Sequence, residues 1–377
     1  MRTSSRSRLF KLASLSVFLG LALCQISMAQ GGLDRMAPET RIIFEEGRYF
    51  EVSWAAVSPD LSGTGGLFDP TGQGTGDILE SYDQWGFGFK TDLNPRTSLT
   101  LLLDQPWGGN TFYPVLPTSG YSGTAATVES NELSAILKRN IGDKGFSVYS
   151  GLRLQSIEAR VAFPFAPALG FPGPYSVDVD REIGAGFMAG AAYEIPDIKL
   201  RFSATYYSEI DTTQTTREVT GPAVLESTTD VTTPQSINLD FQSGIAKDTL
   251  AFGSIRWVDW SKFAVSPPLF SSATGVPLIE YTEDWITYTL GIGRRISDRL
   301  ALAFLVRYTP MTDQQLTTLG PVDGRIIYSI APTFTFNQFK VTVGVSYGDL
   351  GAASNFAGTR FDGGEAIGVG ARIGYSF

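Results

Sequence analysis

The side chains available for chemistry in this chain are mainly carboxylates and basic residues. The sequence contains no histidine and a single cysteine, Cys24. Serine–histidine and cysteine–histidine nucleophiles and histidine metal sites are therefore excluded, and thiolate sites are excluded once Cys24 is removed with the N-terminal segment described next. Carboxylates remain for acid–base work, but no pair of them has a fixed spacing that indicates such a site. The composition predicts a protein with no metal and no cofactor, and an enzyme is the least favoured function.

The N-terminal segment has the pattern of a secretory signal peptide. Basic residues at its start precede a short apolar stretch at 12–23, and small residues precede a predicted cleavage site after Ala29. The stretch is too short for a transmembrane helix. A lipoprotein anchored at Cys24 is the alternative, but Leu23 stands where a small residue is expected.

The charge balance narrows the choice of partners. The signal peptide carries four basic residues and no acidic ones, so 25 basic and 38 acidic residues remain, a net charge of −13. So acidic a chain disfavours nucleic acid as a partner. No window of 18 uninterrupted apolar residues occurs, so no membrane-spanning helix is predicted.

Alternating apolar residues recur along the chain in segments typical of β-strands. The last segment alternates apolar with small or polar residues and ends on an aromatic residue, as outer-membrane barrels commonly do. Its apolar positions are Ile367, Val369, Ala371, Ile373, Tyr375 and Phe377. If this face meets lipid, the usual assignment of the apolar face to a protein core is inverted.

Fourteen such segments, separated by six short turns and seven long loops, are recognisable in the sequence. This arrangement predicts an all-β fold, a 14-stranded antiparallel transmembrane β-barrel with long extracellular loops and short periplasmic turns. The expected location is the outer membrane of a Gram-negative bacterium. A secreted β-sandwich or propeller, the alternative, would bury its apolar faces against each other. We expect a signal peptide at 1–29, a short periplasmic or lumenal arm at 30–47 and the barrel at 48–377.

Residues of the opposite parity should face the barrel lumen, and they carry charges of both signs. One interpretation is a structural network, because an unpaired buried charge is costly. The other is that an arginine holds a ligand carboxylate. The candidates for that role are Arg153, Arg256, Arg307 and Arg372.

Several segments resemble the FadL/TodX family of outer-membrane transporters for long-chain fatty acids and other hydrophobic compounds. Residues 233–246 and 254–261 are similar to the hairpin of the eighth and ninth strands of that family. Residues 104–109 resemble its Asp-Gln-Pro-aromatic-Gly segment, and residues 47–49 with 58–63 are similar to its first strand. The resemblance runs from about residue 44 to residue 377.

The resemblance implies that ligands are captured on apolar outer loops. The loop between the predicted fifth and sixth strands is nearly all apolar, and an exposed patch of this kind usually binds something. Its candidate capture residues are Phe163, Phe165, Leu169, Phe171 and Tyr175. A loop folded as its own small core, or a self-association surface, is the alternative.

The resemblance also implies lateral release through the barrel wall near a kinked third strand. A proline and two glycines weaken strand pairing where that strand ends. The residues of this predicted gap are Asp104, Pro106, Trp107, Gly108 and Gly109. A simple loop start would produce the same pattern.

The chain departs from the family in the plug that precedes the first strand. Only residues 30–47 lie between the predicted cleavage site and the first strand, and they lack the family's Asn-Pro-Ala motif. Either this arm enters the lumen alone, or the barrel is more open than its relatives. The apolar residues of the arm are Met36, Ile42, Ile43 and Phe44.

The resulting functional hypothesis is passive transport, by facilitated diffusion, of a hydrophobic small molecule such as a fatty acid, alkane or aromatic compound. The expected partners are this ligand and outer-membrane lipid, and the family resemblance implies a monomer. Two alternatives remain open. A water-filled porin for small polar solutes would conduct ions, and a binding or adhesion barrel would act through its loops.

Overall fold

Fourteen antiparallel strands close into one barrel in a computed structural model that describes residues 33–35, 40–117, 119–312 and 314–377. The expected signal peptide (1–29) and Met36 lie outside these described residues. The strands are β1 (Tyr49–Thr64), β2 (Tyr82–Asn94), β3 (Thr97–Asp104, continued by Gly108–Phe112), β4 (Ala125–Ile141), β5 (Phe146–Phe163), β6 (Tyr175–Ile195), β7 (Leu200–Tyr207, continued by Ile210–Thr220), β8 (Ala223–Thr233, continued by Ser236–Ala246), β9 (Thr249–Val258), β10 (Trp285–Arg295), β11 (Leu300–Thr309), β12 (Arg325–Phe336), β13 (Phe339–Leu350) and β14 (Arg360–Ser376). The predicted fold class is confirmed.

The arm and the loops contain short helices and strands. One α-helix, α1, covers Pro268–Thr274. The 3₁₀ turns are Thr40–Phe44, Ala166–Leu169, Pro196–Ile198 and Trp260–Lys262, and the short strands are Ala264–Val265, Ile279–Glu280, Gln315–Leu316 and Ala353–Asn355. Among the described residues, no helix has the length and apolar character needed to cross a bilayer.

The alternation of side chains along each strand separates an apolar outer surface from a polar interior. In β5, Leu152 and Leu154 are 71% and 49% exposed, whereas Arg153 between them is 2% exposed. Successive residues of a strand point to opposite faces, so the leucines face outward and the arginine faces the lumen. This pattern is stable only if lipid covers the outer face.

The last strand closes the barrel against the first. β14 pairs with β1 in antiparallel register from Tyr49 opposite Ser376 to Thr64 opposite Arg360. The terminal Phe377 donates its backbone N–H to the carbonyl of Arg48 at 3.0 Å. Closure gives every edge strand a partner, which is the condition for a sheet to reside in lipid.

At one end of the barrel the strands are joined by short turns, and these turns carry residues suited to tight backbone conformations. Asp248, between β8 and β9, and Asn337, between β12 and β13, have φ angles of 58° and 53°. These are left-handed conformations that asparagine and aspartate adopt more readily than other side chains. Short turns mark the periplasmic end of such barrels, so the long loops lie at the outer end.

Candidate transport path

An aromatic cluster closes part of the outer end of the barrel. Phe163, Phe171 and Tyr175 are buried, and their ring centroids lie 6.0, 6.0 and 5.4 Å from that of Phe270 in α1. We call these four residues the ring cluster. Aromatic pairs at such separations stabilise a core beyond the area that they bury. Phe163, Phe171 and Tyr175 of the loop between β5 and β6 therefore pack onto α1 in a small core.

The other two predicted capture residues lie closer to the surface. Phe165 is half-buried, with its ring centroid 4.4 Å from that of Phe68 in the loop between β1 and β2. The side chain of Leu169 is 37% exposed. The apolar surface that the loop presents to solvent is therefore concentrated at its tip.

A buried carboxylate fastens the ring cluster, and the sequence did not identify it. Glu218 in the second part of β7 is fully buried. It accepts hydrogen bonds of 2.8 Å from the Tyr175 hydroxyl and from the backbone N–H groups of Leu269 and Phe270. The first N–H groups of a helix have no partner within the helix, so a carboxylate at this position satisfies them. Glu218 thus joins β6, β7 and α1.

A second aromatic group links the outer loops to β3. The ring centroid of Trp260 lies 5.4 Å from that of Trp107, 5.1 Å from that of Tyr281 and 5.8 Å from that of Trp285. We call these four residues the tryptophan cluster. Trp107, a predicted gap residue, therefore points inward and packs beneath the loop between β9 and β10. The ring cluster and the tryptophan cluster together form the outer cap.

A small apolar cavity lies beneath the outer cap. Its volume is about 20 Å³, and its lining includes Leu33, Val128, Ile157, Phe263 and Leu278. A cavity of this size holds about one water molecule. A hydrophobic ligand can enter this region only if side chains of the cap move apart.

The pairing of β2 with β3 is interrupted in the outer half of the wall. The ladder runs from Asn94 opposite Thr97 to Phe87 opposite Leu103 and stops there. Residues 82–86 of β2 pair with β1 but have no β3 partner in the described chain. Pairing resumes beyond the interruption, where Leu79 forms a bridge with Thr111. We call this interruption the β2–β3 break.

The predicted gap residues all lie along this break. Asp104 ends the first part of β3, and Pro106, which lacks a backbone N–H, follows it in the interruption. Gly108 and Gly109 begin the second part of β3, where they pair with β4 opposite Glu129 and Val128.

The N-terminal arm lies against β3 at this point. The backbone N–H of Arg35 donates to the Pro106 carbonyl at 2.9 Å, and that of Gly108 donates to the Leu33 carbonyl at 2.8 Å. Asp34 is the residue opposite Trp107 in this short antiparallel pair. The arm therefore forms a single β-bridge with β3, and its two backbone hydrogen bonds satisfy part of the interrupted β3 ladder.

The two glycines of β3 make room for the arm. A Cβ atom on Gly108 would lie 2.5 Å from the Arg35 guanidinium, and one on Gly109 would lie 3.0 Å from the Leu33 side chain. Both residues are therefore required for the close approach of another backbone, which is a common use of glycine.

A buried ion pair anchors the arm across the lumen. Arg256 Nε of β9 donates to Asp34 Oδ2 at 2.9 Å, and both side chains are buried. Arg35 donates to Asn110 Oδ1 at 2.6 Å, and its guanidinium lies 4.3 Å from the ring centroid of Tyr82. Tyr82 belongs to the segment of β2 that pairs with β1 but not with β3, so the arm contacts both sides of the β2–β3 break.

The periplasmic half of the lumen is wide and polar. A cavity of about 1160 Å³ opens there, and charged side chains from several strands line it. The 3₁₀ turn of the arm lies in this region, with Ile42 and Ile43 buried. The ring of Phe44 lies between Lys138 Nζ and the Arg201 guanidinium, whose centroid distances are 4.3 and 4.2 Å. The arm thus occupies the lumen at two heights.

Arg153, Arg256 and Arg372 each have a protein carboxylate as partner. Arg153 donates to both oxygens of Glu132, at 2.9 and 2.7 Å. Arg256 pairs with the arm as described, and Arg372 Nε lies 3.7 Å from an oxygen of Glu51. Such pairs offset the cost of burying their charges.

The fourth candidate, Arg307 of β11, is also buried and lies near Arg325 at the start of β12. Sequence inspection did not single out Arg325. Its position one residue after the glycine of a loop gave no signal of the surroundings that the neighbouring strands provide.

A closed barrel with an interrupted third strand, a sealed outer end and a strand-like arm in the lumen defines an outer-membrane transport barrel. The sequence model of the outer membrane protein transport protein family (OMPP1/FadL/TodX) matches residues 81–359. The chain belongs to this family of hydrophobic-compound transporters. It is therefore a transport protein and not an enzyme, and family and fold indicate a Gram-negative outer membrane.

Solved structures show the same fold at low sequence identity. A FadL homologue of Pseudomonas aeruginosa is 16% identical with a TM-score of 0.74, and the match covers 89% of this chain and 92% of that chain. The toluene transporter TodX of Pseudomonas putida is 13% identical with a TM-score of 0.63, covering 93% and 96%. The toluene transporter TbuX of Ralstonia pickettii is 13% identical with a TM-score of 0.62, covering 93% and 97%. No curated protein shows significant sequence similarity to this chain.

Proposed function

We propose that this protein mediates facilitated diffusion of hydrophobic small molecules, such as long-chain fatty acids, from the medium into the outer membrane. The ligand is captured at the exposed tip of the outer cap, near Leu169. It displaces cap side chains, passes beneath the tryptophan cluster and leaves sideways through the β2–β3 break into membrane lipid. The protein acts as a monomer, because one barrel contains the whole path.

The β2–β3 break is the observation that carries this proposal. The β3 edge of the break borders the apolar region beneath the outer cap, because Trp107 belongs to the same buried cluster as Leu33 and its ring contacts that of Trp260. A hydrophobic molecule that leaves there avoids the charged periplasmic half of the lumen, where desolvation of side chains would oppose its passage. Leu33–Arg35 must move for exit to occur, so the arm acts as the gate.

A water-filled porin is the second candidate, and the wide polar periplasmic lumen favours it. The outer cap argues against it, because close-packed aromatic rings leave a cavity of about 20 Å³ beneath them. Ion conductance separates the two functions. A sealed barrel should show none, whereas a porin conducts in a planar bilayer.

A reversible disulfide between the arm and β3 tests the gate. Asp34 and Trp107 form a non-hydrogen-bonded antiparallel pair, whose Cα atoms lie about 4.5 Å apart, within disulfide range. In the variant Asp34→Cys/Trp107→Cys/Arg256→Met, whose third change removes the buried charge that Asp34 otherwise pairs, oxidation should reduce uptake of labelled oleate to the level of cells without the protein. Reduction of the same variant should restore uptake.

A matched disulfide elsewhere in the wall serves as the control. Thr333 of β12 and Thr342 of β13 lie opposite each other with hydroxyls 2.8 Å apart, and β14 and β1 separate β13 from β2. Oxidised Thr333→Cys/Thr342→Cys should transport normally. Equal uptake by the oxidised and reduced forms of the arm variant would rule out the arm as gate. Conductance without oleate or toluene uptake would support the porin.

A further inference from the structure

The tryptophan cluster contains three buried indole N–H groups without a hydrogen-bond acceptor. Trp107, Trp260 and Trp285 are 3%, 1% and 3% exposed, and none of their Nε1 atoms has a partner among the described residues. By contrast, Nε1 of Trp257 in β9 donates to Asp284 Oδ2 at 3.0 Å. Buried polar groups are nearly always hydrogen-bonded, so three open donors in one cluster call for an acceptor from outside the chain.

An unpartnered acceptor lies opposite one of these donors. Asp34 is 2% exposed, and its Oδ2 accepts from Arg256 Nε at 2.9 Å, but its Oδ1 has no partner among the described residues. Asp34 and Trp107 are direct partners in the bridge between the arm and β3, so their side chains lie on the same face. An open donor and an open acceptor therefore project from opposite residues of one short pair.

The separation of the two residues suits one bridging atom. They form the non-hydrogen-bonded type of pair, because the backbone hydrogen bonds of the bridge join the residues on either side of them. The Cβ atoms of such a pair lie about 4.5–5.5 Å apart. An oxygen atom that bonds to both side chains spans about 5–6 Å, the length of two hydrogen bonds. One ligand oxygen can therefore bridge the indole and the carboxylate.

The chemistry of the two open groups specifies a hydroxyl. The indole N–H of Trp107 only donates, and the carboxylate of Asp34, which is ion-paired with Arg256, only accepts. A ketone, ester or carboxylate oxygen can accept from the indole but has no proton to donate to Asp34 Oδ1. A hydroxyl group does both.

The surroundings of the pair suit a hydrophobic molecule with one polar end. Trp107 belongs to the same buried apolar cluster as Leu33 and Phe263, and these two residues line the small cavity beneath the outer cap. Arg256, the ion-pair partner of Asp34, borders the wide periplasmic cavity. The pair therefore lies where the apolar outer region meets the polar periplasmic one.

Contacts within the cluster do not replace the missing groups. The rings of Trp107 and Trp260 meet edge to face at 82°, an arrangement in which an indole N–H can point at a ring. Such an N–H···π contact is a second-order interaction, and it leaves Asp34 Oδ1 without a donor. A water molecule has the same donor and acceptor pattern as a hydroxyl, so a ligand hydroxyl that displaces water there reproduces its hydrogen bonds.

We propose that Asp34 and Trp107 form a subsite for the hydroxyl group of a hydrophobic alcohol or phenol. This inference rests on the proposed transport function and names a substrate class for it. The ligand hydroxyl accepts from Trp107 Nε1 and donates to Asp34 Oδ1, and the apolar body lies beneath the outer cap. Because Asp34 belongs to the gate, the subsite holds the ligand at the β2–β3 break until the arm moves.

The test compares two ligands that differ only by a hydroxyl in place of a methyl group, 4-methylphenol and 1,4-dimethylbenzene. Binding of each ligand to the purified protein in lipid nanodiscs is measured by equilibrium dialysis, and binding to empty nanodiscs is subtracted. Trp107→Phe keeps an aromatic ring but removes the N–H. It should weaken binding of 4-methylphenol about 3- to 10-fold, the value of one hydrogen bond, and leave binding of 1,4-dimethylbenzene unchanged.

The matched control is Trp257→Phe, the same substitution at an indole whose N–H already has a protein acceptor. It should leave both affinities unchanged. A double-mutant cycle then tests the bridge. Asp34→Ala/Arg256→Met, which leaves no unpaired buried charge, should already bind 4-methylphenol weakly. Adding Trp107→Phe should weaken that binding little further, because one hydroxyl couples the two groups.

Binding and cellular uptake together separate failure of this inference from failure of the proposed function. Equal weakening of both ligands by Trp107→Phe, or no weakening, would overturn the hydroxyl subsite even if oleate uptake were normal. Additive losses in the cycle would overturn the bridge between Asp34 and Trp107. Hydroxyl-specific binding without uptake of either ligand by cells would support the subsite and contradict the transport function.

Discussion

The two halves of the barrel interior differ in almost every physical property. The periplasmic half holds a cavity of about 1160 Å³ bordered by charged residues, whereas the cavity beneath the outer cap measures about 20 Å³ and is bordered by apolar residues. The first region has room for water and ions, whereas the second has room for about one water molecule. The periplasmic half is therefore open and polar, and the outer half is closely packed and apolar.

A single strand shows how this difference arises. The lumen-facing side of β5 carries Arg153 and Gln155 in its middle, then Ile157, Val161 and Phe163 towards the outer end, all of them buried. The register against β6 shifts between Ile157 and Ala159. The extra residue of this bulge lies in β6, where the buried positions change from 184, 188 and 192 to 175, 177 and 179. The inward face of β5 is therefore continuous, and its side chains change from polar to apolar along one face.

Loss of the arm's anchor should have the largest effect, because it removes the barrier between the two halves. Asp34→Ala leaves Arg256 buried without its carboxylate, which costs about 3–5 kcal/mol of unfolding free energy. The arm should leave β3, and ion conductance should appear in planar bilayers. Tryptophan fluorescence during urea unfolding in vesicles measures the stability loss.

The double variant Asp34→Ala/Arg256→Met is the control for that experiment. It also frees the arm, but it leaves no unpaired buried charge, so most of the stability should return while conductance persists. An unchanged conductance in both variants would show that the outer cap alone seals the barrel.

Weakening the outer cap should have the next largest effect. Glu218→Gln replaces a carboxylate that accepts three hydrogen bonds with an amide whose NH₂ group faces a donor. The unsatisfied donor groups should lower the free energy of unfolding by about 1–3 kcal/mol. Limited proteolysis of vesicles should then cut the α1 segment faster. Glu226→Gln, at an exposed position of the same hairpin, should not change the cleavage rate.

How far the sequence predicts each half depends on how local the interactions are. The fold follows from alternation and turns, which are visible within one or two strands. The inward direction of Arg153 was equally predictable from parity. Its partner Glu132 lies 21 residues away on β4, however, and only the register between strands shows that the two meet.

The contacts of Glu218 and the surroundings of Arg325 could not be predicted from the sequence for the same reason. Glu218 meets the start of α1 more than fifty residues later in the chain, because the hairpin and the helix fold over the same end of the barrel. The surroundings of Arg325 in β12 include Tyr82 of β2, which lies far from it in the sequence. Patterns within one strand carry no information about such contacts.

A change confined to the periplasmic half should leave the seal intact. Phe44→Leu keeps an apolar side chain in the arm but removes the ring that Lys138 and Arg201 face. The loss of these cation–π contacts should lower the stability of the arm by about 1–2 kcal/mol. Hydrogen exchange of residues 40–44 should accelerate, while conductance stays at the parent level. Phe356→Leu, at a residue that is 60% exposed, should change neither quantity. New conductance in Phe44→Leu would mean that both halves contribute to the seal.

The smallest effect is expected in the loop between β1 and β2, which borders the outer cap. Burial raises the pKa of Asp69, but hydrogen bonds of 2.8, 3.0 and 3.0 Å from the N–H groups of Gly65, Gly74 and Gln73 lower it more, so the pKa lies below its ordinary value. The ionised carboxylate therefore stabilises the loop at pH values above the pKa of an aspartate in the unfolded chain, about 3.9. This stabilisation is lost as the pH falls through the lowered pKa of Asp69 in the folded protein.

Hydrogen exchange of residues 65–74, corrected for the intrinsic effect of pH, should consequently become less protected only in strong acid. Asp69→Asn should show reduced protection already at neutral pH and lose the acid dependence, because its amide carries no charge to stabilise. Oleate uptake should change little in this variant, since Asp69 touches neither the ring cluster nor the β2–β3 break. A large loss of uptake would instead place this loop within the capture surface and extend the apolar half of the path to the first long loop.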